Sequence, residues 1–167
     1  MSPSAVLPVS TLHHPALETL LARYGLQLQI VPAGQAIPGS FWGDSEAGLI
    51  GQRLLVRADT PAHSLLHEAC HYICMSPDRR ANLHTNAGGD YAEENGVCYL
   101  QILLAAELPP LNPARLMADM DAWGYSFRLG SARAWFEQDA EDARDWLIRH
   151  DLIGADDKPT GKLRLAM

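Results

Sequence analysis

Apolar positions recur along this chain with two periods, and the changes of period divide it into elements. Residues 15–24 carry Leu17, Leu20 and Leu21 at helical spacing and stop at Gly25, which predicts a short helix ending at a glycine. Residues 26–31 alternate at period two and read as a strand, and 38–45 form a turn-rich link carrying Phe41 and Trp42. Residues 49–58 read as extended, with Ile50, Leu54 and Val56 on one side. Thr60-Pro61 then supplies an N-cap residue and a proline at the first helical position. A helix is expected from Ala62 to about Met75, with Leu65, Leu66, Ala69, Tyr72 and Ile73 as its apolar residues. After a polar loop over 76–89, a second helix begins near Asp90 and runs apolar through Val97, Leu100, Ile102, Leu103 and Leu104 to Pro109.

Two further helices follow Pro109-Pro110. Residues 113–123 place Leu116, Met120 and Trp123 on one face. Ser131 caps a longer helix to His150, with Trp135, Phe136, Ala140, Ala143 and Leu147 inside and its acids on a solvated face. Residues 124–130 join the two and carry Tyr125 and Phe127. A few early strands followed by helices define an α+β chain. At 167 residues and 47% hydrophobic content it is long enough for one sizeable core. The expected organisation is a mobile or loosely docked leader over 1–14, one domain over 15–154 and a polar tail over 155–167. Within the domain, a core of about 26–109 is buttressed by the helices of 113–150.

The chemistry concentrates in His67-Glu68-Ala69-Cys70-His71. Histidines four residues apart on a helix project from the same face, so both imidazoles can reach one metal ion. Glu68 between them can serve a metal-bound water without being a ligand. A purely structural site has no use for such a glutamate. His63 lies one turn earlier and is expected to pack or support. His13 and His14 are expected in solvent, and Cys70 faces away from the metal. A catalytic zinc takes three protein ligands. Continuing the helix to a third histidine fails, because Cys74 stands where a glycine is needed and Pro77 where the histidine is needed. The alternative is a carboxylate on the next helix. Glu93, in line with Gly96, Val97 and Leu100, is the favoured ligand, because Gly96 would let two helices approach closely. Glu94, in line with Val97, Cys98 and Gln101, comes second, followed by Asp90 and His84.

With His67, Glu68, His71 and the Glu93 helix in place, the chain resembles the gluzincin metallopeptidases. Among these it is most similar to the compact intracellular group that includes the ImmA/IrrE-type peptidases and the minigluzincins. The resemblance covers roughly residues 49–109 and not the last sixty. It implies a zincin-like α+β fold: a small antiparallel or mixed sheet on an active-site helix and a glutamate-bearing helix, with the C-terminal helices added. Gly96 fits the small residue those families place three positions after the ligand glutamate. Val97 replaces the Asp or Asn expected next, which removes a hydrogen-bonding partner for a ligand histidine.

The expected function is zinc-dependent hydrolysis of peptide bonds, with His67, His71 and Glu93 on the metal and Glu68 as general base. Tyr91, His84 and Tyr125 are candidate donors to the developing oxyanion. An extended substrate is expected to pair with the sheet edge. The competing readings are a zinc-stabilised, catalytically inactive interaction protein and an accidental motif in a helical domain. A net charge of −7 with no basic run beyond Arg79-Arg80 argues against nucleic acid. The expected partner is a peptide or protein, with no membrane contact. Cys70, Cys74 and Cys98, an odd set in apolar helices, point to reduced thiols and a cytoplasmic location.

Overall fold

A computed structural model describes residues 6–40, 45–83 and 88–165. Among these residues the chain is α+β, with a three-stranded mixed sheet and seven α-helices. Helix α1 (His14–Arg23) leads into β1 (Gln27–Ile30), and then come β2 (Gly48–Ile50) and β3 (Arg53–Val56). The sheet order is β1-β3-β2, with β1 parallel to the central β3 and β2 antiparallel to it. The expected single extended segment over 49–58 is therefore a hairpin. Gly51, with φ of +58°, makes the reversal that a β-branched or bulky residue would resist.

Helices α2 (Ala62–Cys74), α3 (Pro77–Ala81) and α4 (Tyr91–Leu104) follow the sheet. Helix α2 starts one residue later than the Thr60 cap implied: Thr60 is buried, and its hydroxyl accepts from Arg57 N at 2.9 Å, closing the turn from β3. Asp90 caps α4 by accepting the Glu93 N–H at 2.8 Å.

Helices α5 (Pro113–Trp123), α6 (Ala132–Gln138) and α7 (Glu141–Arg149) complete the fold. The continuous helix expected over 131–150 is broken at Asp139-Ala140. Asp139 leaves helical geometry and pairs with Arg128 at 3.0 Å, while Glu141 and Asp142 begin a new first turn, where acids are favoured.

Helices α2 and α4 pack against each other at the centre of the main core, and α7 covers the other side of α4. Gly96 belongs to that second contact. A Cβ there would lie 2.7 Å from Cε3 of Trp146, so its smallness admits α7 rather than α2.

From Val6 onward the N-terminal segment packs on the core: Val6, Val9 and Leu12 are buried, and Val9 N donates to Thr60 O at 2.7 Å. Leu7 N donates to the Asp119 carboxylate at 2.9 Å. The tail returns to α2, where Arg164 N donates to Ile73 O at 3.0 Å. No helix among the described residues is long and apolar enough to cross a membrane.

Replacing Gly96 with alanine improves helix propensity by about 1 kcal/mol but overpacks Trp146, at a cost of about 1–3 kcal/mol. We expect Gly96→Ala to lower stability by about 1 kcal/mol overall, read from chemical denaturation midpoints.

Candidate metal centre

Because α2 and α4 run antiparallel, each presents a pair of side chains one turn apart to the other. His67 and His71 face α4, and their Nε2 atoms lie 3.2 Å apart. The glutamate that meets them is Glu94, not Glu93. Its Oε1 is 3.1 Å from His67 Nε2 and its Oε2 is 3.3 Å from His71 Nε2.

The preference for Glu93 fails because Gly96 marks the α7 face of α4. Glu93 is 2% exposed and is held instead by Arg79, through bonds of 2.7 and 2.8 Å, and by Arg164 at 3.1 Å. Asp90 is the cap of α4, and His84 lies outside the described residues.

These separations can be tested against an ion. With metal–nitrogen distances of 2.0–2.1 Å, two ligands of a tetrahedral ion stand about 3.3 Å apart. The 3.1, 3.2 and 3.3 Å separations are each of that size, the two to Glu94 ending on its two different oxygens. His67, Glu94 and Cys98 also form a group whose ligand atoms all lie within 4.8 Å of one another. The cluster could therefore hold a metal ion.

Gln101, two turns beyond Glu94, fixes the tautomer of His67. Its amide nitrogen donates to the His63 carbonyl at 2.7 Å, and that oxygen can only accept, so the orientation of the amide is determined. The amide oxygen then faces His67 Nδ1 at 3.0 Å and must receive its proton. This leaves the Nε2 lone pair directed at the cluster, which is how partners of ligand histidines act. Gln101 thus takes the role that the sequence, reading Val97 after Glu93, found missing. His71 Nδ1 is buried with no hydrogen-bond partner among the described residues.

The electrostatics follow from burial and these contacts. Burial pushes Glu68 up to about 7; His67 works against this, while Glu46 and Glu94 add to it. Burial and the neighbouring His67 lower His71 to about 4. Burial would lower His67 too, but the hydrogen bond and charge of Glu94 prevail and raise it. Burial would raise Glu94, and the two histidines reverse that, leaving it lowered. Burial also takes His63 down to about 3, with His67 assisting. His63 is therefore a neutral packing residue, set between the rings of Trp123 and Tyr125 with Nδ1 3.1 Å from the Tyr125 hydroxyl.

Beside the cluster lies a cavity of about 370 Å³ lined by His67, Glu68 and Glu94 with Glu46, Ser64, Trp123 and Tyr125. Glu68 is buried and lines this space. Trp123 donates to Glu46 at 2.6 Å, and Ser64 accepts from Ala47 N at 2.9 Å, so the wall is pinned to both α5 and α2. Of the candidate oxyanion donors, Tyr125 stands edge-on to His67 with centroids 5.5 Å apart, whereas Tyr91 is 75% exposed and lines a separate groove against α7. The outer edge of β2 is met by Gly39, whose carbonyl accepts the Leu49 N–H at 3.1 Å, so a substrate strand does not find that position open.

No family model, no curated protein and no solved structure matches this chain. Its chemistry rests on the residues themselves.

The two glutamates should separate cleanly. Glu94→Ala is expected to abolish metal retention in a folded protein. Glu93→Ala should cost about 3 kcal/mol of stability, by leaving arginines without their buried partner, while metal still binds the folded fraction. Metal content and denaturation midpoints read the two effects. Gln101→Leu is expected to weaken metal affinity by about 10–100-fold, measured by competition with a chromophoric chelator.

Proposed function

We propose that this protein is a zinc-dependent hydrolase of peptide bonds, of gluzincin type and zincin-like fold, in which His67, His71 and Glu94 hold the metal. The observation that supports this most directly is the convergence of His67, His71 and Glu94, with Glu68 beside them lining a cavity. Two imidazoles and a carboxylate are a donor set suited to zinc, and three protein ligands leave a fourth position. When bound, zinc supplies Lewis-acid polarisation of a carbonyl and activation of a water molecule.

The chain's own residues do the rest. Glu68 accepts the proton of the attacking water and delivers it to the leaving amine, its buried carboxyl being suited to both steps near neutral pH. Gln101 keeps His67 oriented with Nε2 available. The cavity offers room for a substrate side chain, with Trp123 and Tyr125 as its aromatic wall. Glu68 also weighs against the inactive, zinc-stabilised alternative. A carboxylate set beside the cluster and lining the cavity is of no use to a purely structural site. Free, buried Cys70, Cys74 and Cys98 fit a reducing, cytoplasmic setting.

Glu68→Gln should bind one metal ion per chain and lose at least about 100-fold in peptide turnover, whereas His71→Ala should lose both metal and turnover. Metal analysis and a mixed-peptide cleavage assay test this. Equal turnover in Glu68→Gln and the unaltered protein would sink the proposal.

A further inference from the structure

The cluster contains one ligand-type atom that the hydrolase reading does not use. Glu94 and Cys98 are one turn apart on α4, as His67 and His71 are on α2, so the facing helices present two pairs of metal-binding side chains. Cys98 is buried, and its Sγ, a His67 ring nitrogen and a Glu94 oxygen all lie within 4.8 Å of one another. In a tetrahedral site with metal–sulfur near 2.3 Å, sulfur stands about 3.6 Å from the other ligand atoms. Closing that gap to His67 and Glu94 requires a movement of little more than about 1 Å, within reach of a side-chain adjustment. His71, outside that group, is placed by its separations of 3.2 Å from His67 and 3.3 Å from Glu94.

We infer that Cys98 is a fourth, displaceable metal ligand, so that the resting site is a closed His–His–Glu–Cys set. The inference rests on the metal reading above and extends it. Closed four-ligand sites are inert, and open three-ligand sites are reactive. A sulfur that yields its position to a competing ligand makes the centre latent until substrate arrives. Metal uptake would exchange the Cys98 thiol proton for the metal, and displacement by a competing ligand would return a proton from solvent to the sulfur, with no change of oxidation state in either step. Sulfur in the set also turns the site toward Zn²⁺, Co²⁺ and Cd²⁺ and away from Mg²⁺, Ca²⁺ and Mn²⁺.

Cobalt reads this directly. The full chain, stripped of metal and titrated with Co²⁺, should show visible ligand-field bands together with a thiolate-to-cobalt charge-transfer band in the near ultraviolet. That band should vanish in both Cys98→Ser and Cys98→Ala while the ligand-field bands remain, and it should persist in Cys70→Ser and Cys74→Ser. Adding a peptide hydroxamate should collapse it in the unaltered protein. Ligand-field bands without charge transfer would overturn the role of Cys98 and leave the His67–His71–Glu94 site standing. A charge-transfer band that survives saturating hydroxamate would overturn displaceability and make the centre a closed structural one. No cobalt uptake at all would overturn this inference together with the metal reading beneath it.

Discussion

The side-chain amide of Gln101 sets the relation between the two helices on which the centre depends. It is fully buried, donates to the His63 carbonyl and accepts from the His67 imidazole, so both ends of one amide are bonded to α2. A one-residue slip of α4 would break both bonds and bury the Gln101 amide and a ring N–H without these partners, each costing about 1–3 kcal/mol. Register is thereby fixed. Once it is fixed, Glu94 and Cys98 fall opposite the histidines as a matter of helical geometry. One amide both specifies the packing and selects the tautomer that chemistry at Nε2 requires.

The adjacent carboxylates of Glu93 and Glu94 show how location divides identical groups. Successive helix positions point about 100° apart, so the two cannot share a face. Glu93 meets Arg79 from α3 and Arg164 from the tail, and Arg164 also donates to the Cys74 carbonyl at the end of α2 and lies over Trp146. It therefore joins the end of α2, the start of α4, the short α3 and the C-terminal segment. Glu94 instead faces the two histidines. Structural and chemical duties are thus assigned to neighbouring residues without either compromising the other.

How much of this was legible in the sequence depends on the distance over which each cause acts. The helical frames of α1, α2, α4 and α5, and the pairing of His67 with His71, follow from local periodicity and were readable. The hairpin at Gly51 was not, since a lone glycine within an apolar run carries its φ requirement invisibly. The break at Asp139 depends on Arg128, an ion-pair partner outside the local pattern. The choice between Glu93 and Glu94 turned on which neighbour Gly96 admits. That neighbour is Trp146, fifty residues later, and no local pattern reveals it. Gln101 is the signal that could have decided the matter. A glutamine inside an apolar helix, in line with Glu94 and Cys98, is costly to bury and calls for a polar partner.

The C-terminal helices are more than a buttress, and the reason lies in how the cavity wall is held. Trp123 closes α5, and its indole N–H fixes Glu46, which sits just ahead of β2 and 77 residues away in sequence. Tyr125 follows directly, stacks with Phe127 and meets both His63 and His67 edge-on. Asp119 on the same helix takes the Leu7 N–H and so fastens the leader that bonds to the start of α2. The side chains that enclose Glu68 thus come from segments before, within and after α2 and α4. A fragment limited to residues 49–109 would keep the ligands yet lose the Trp123 and Tyr125 wall, leaving Glu68 open to water. In such a fragment the burial that raises Glu68 would be relieved, because desolvation is its largest cause. The raised proton affinity of Glu68 is therefore a property of the surrounding fold, not of the five-residue motif that first draws attention to it.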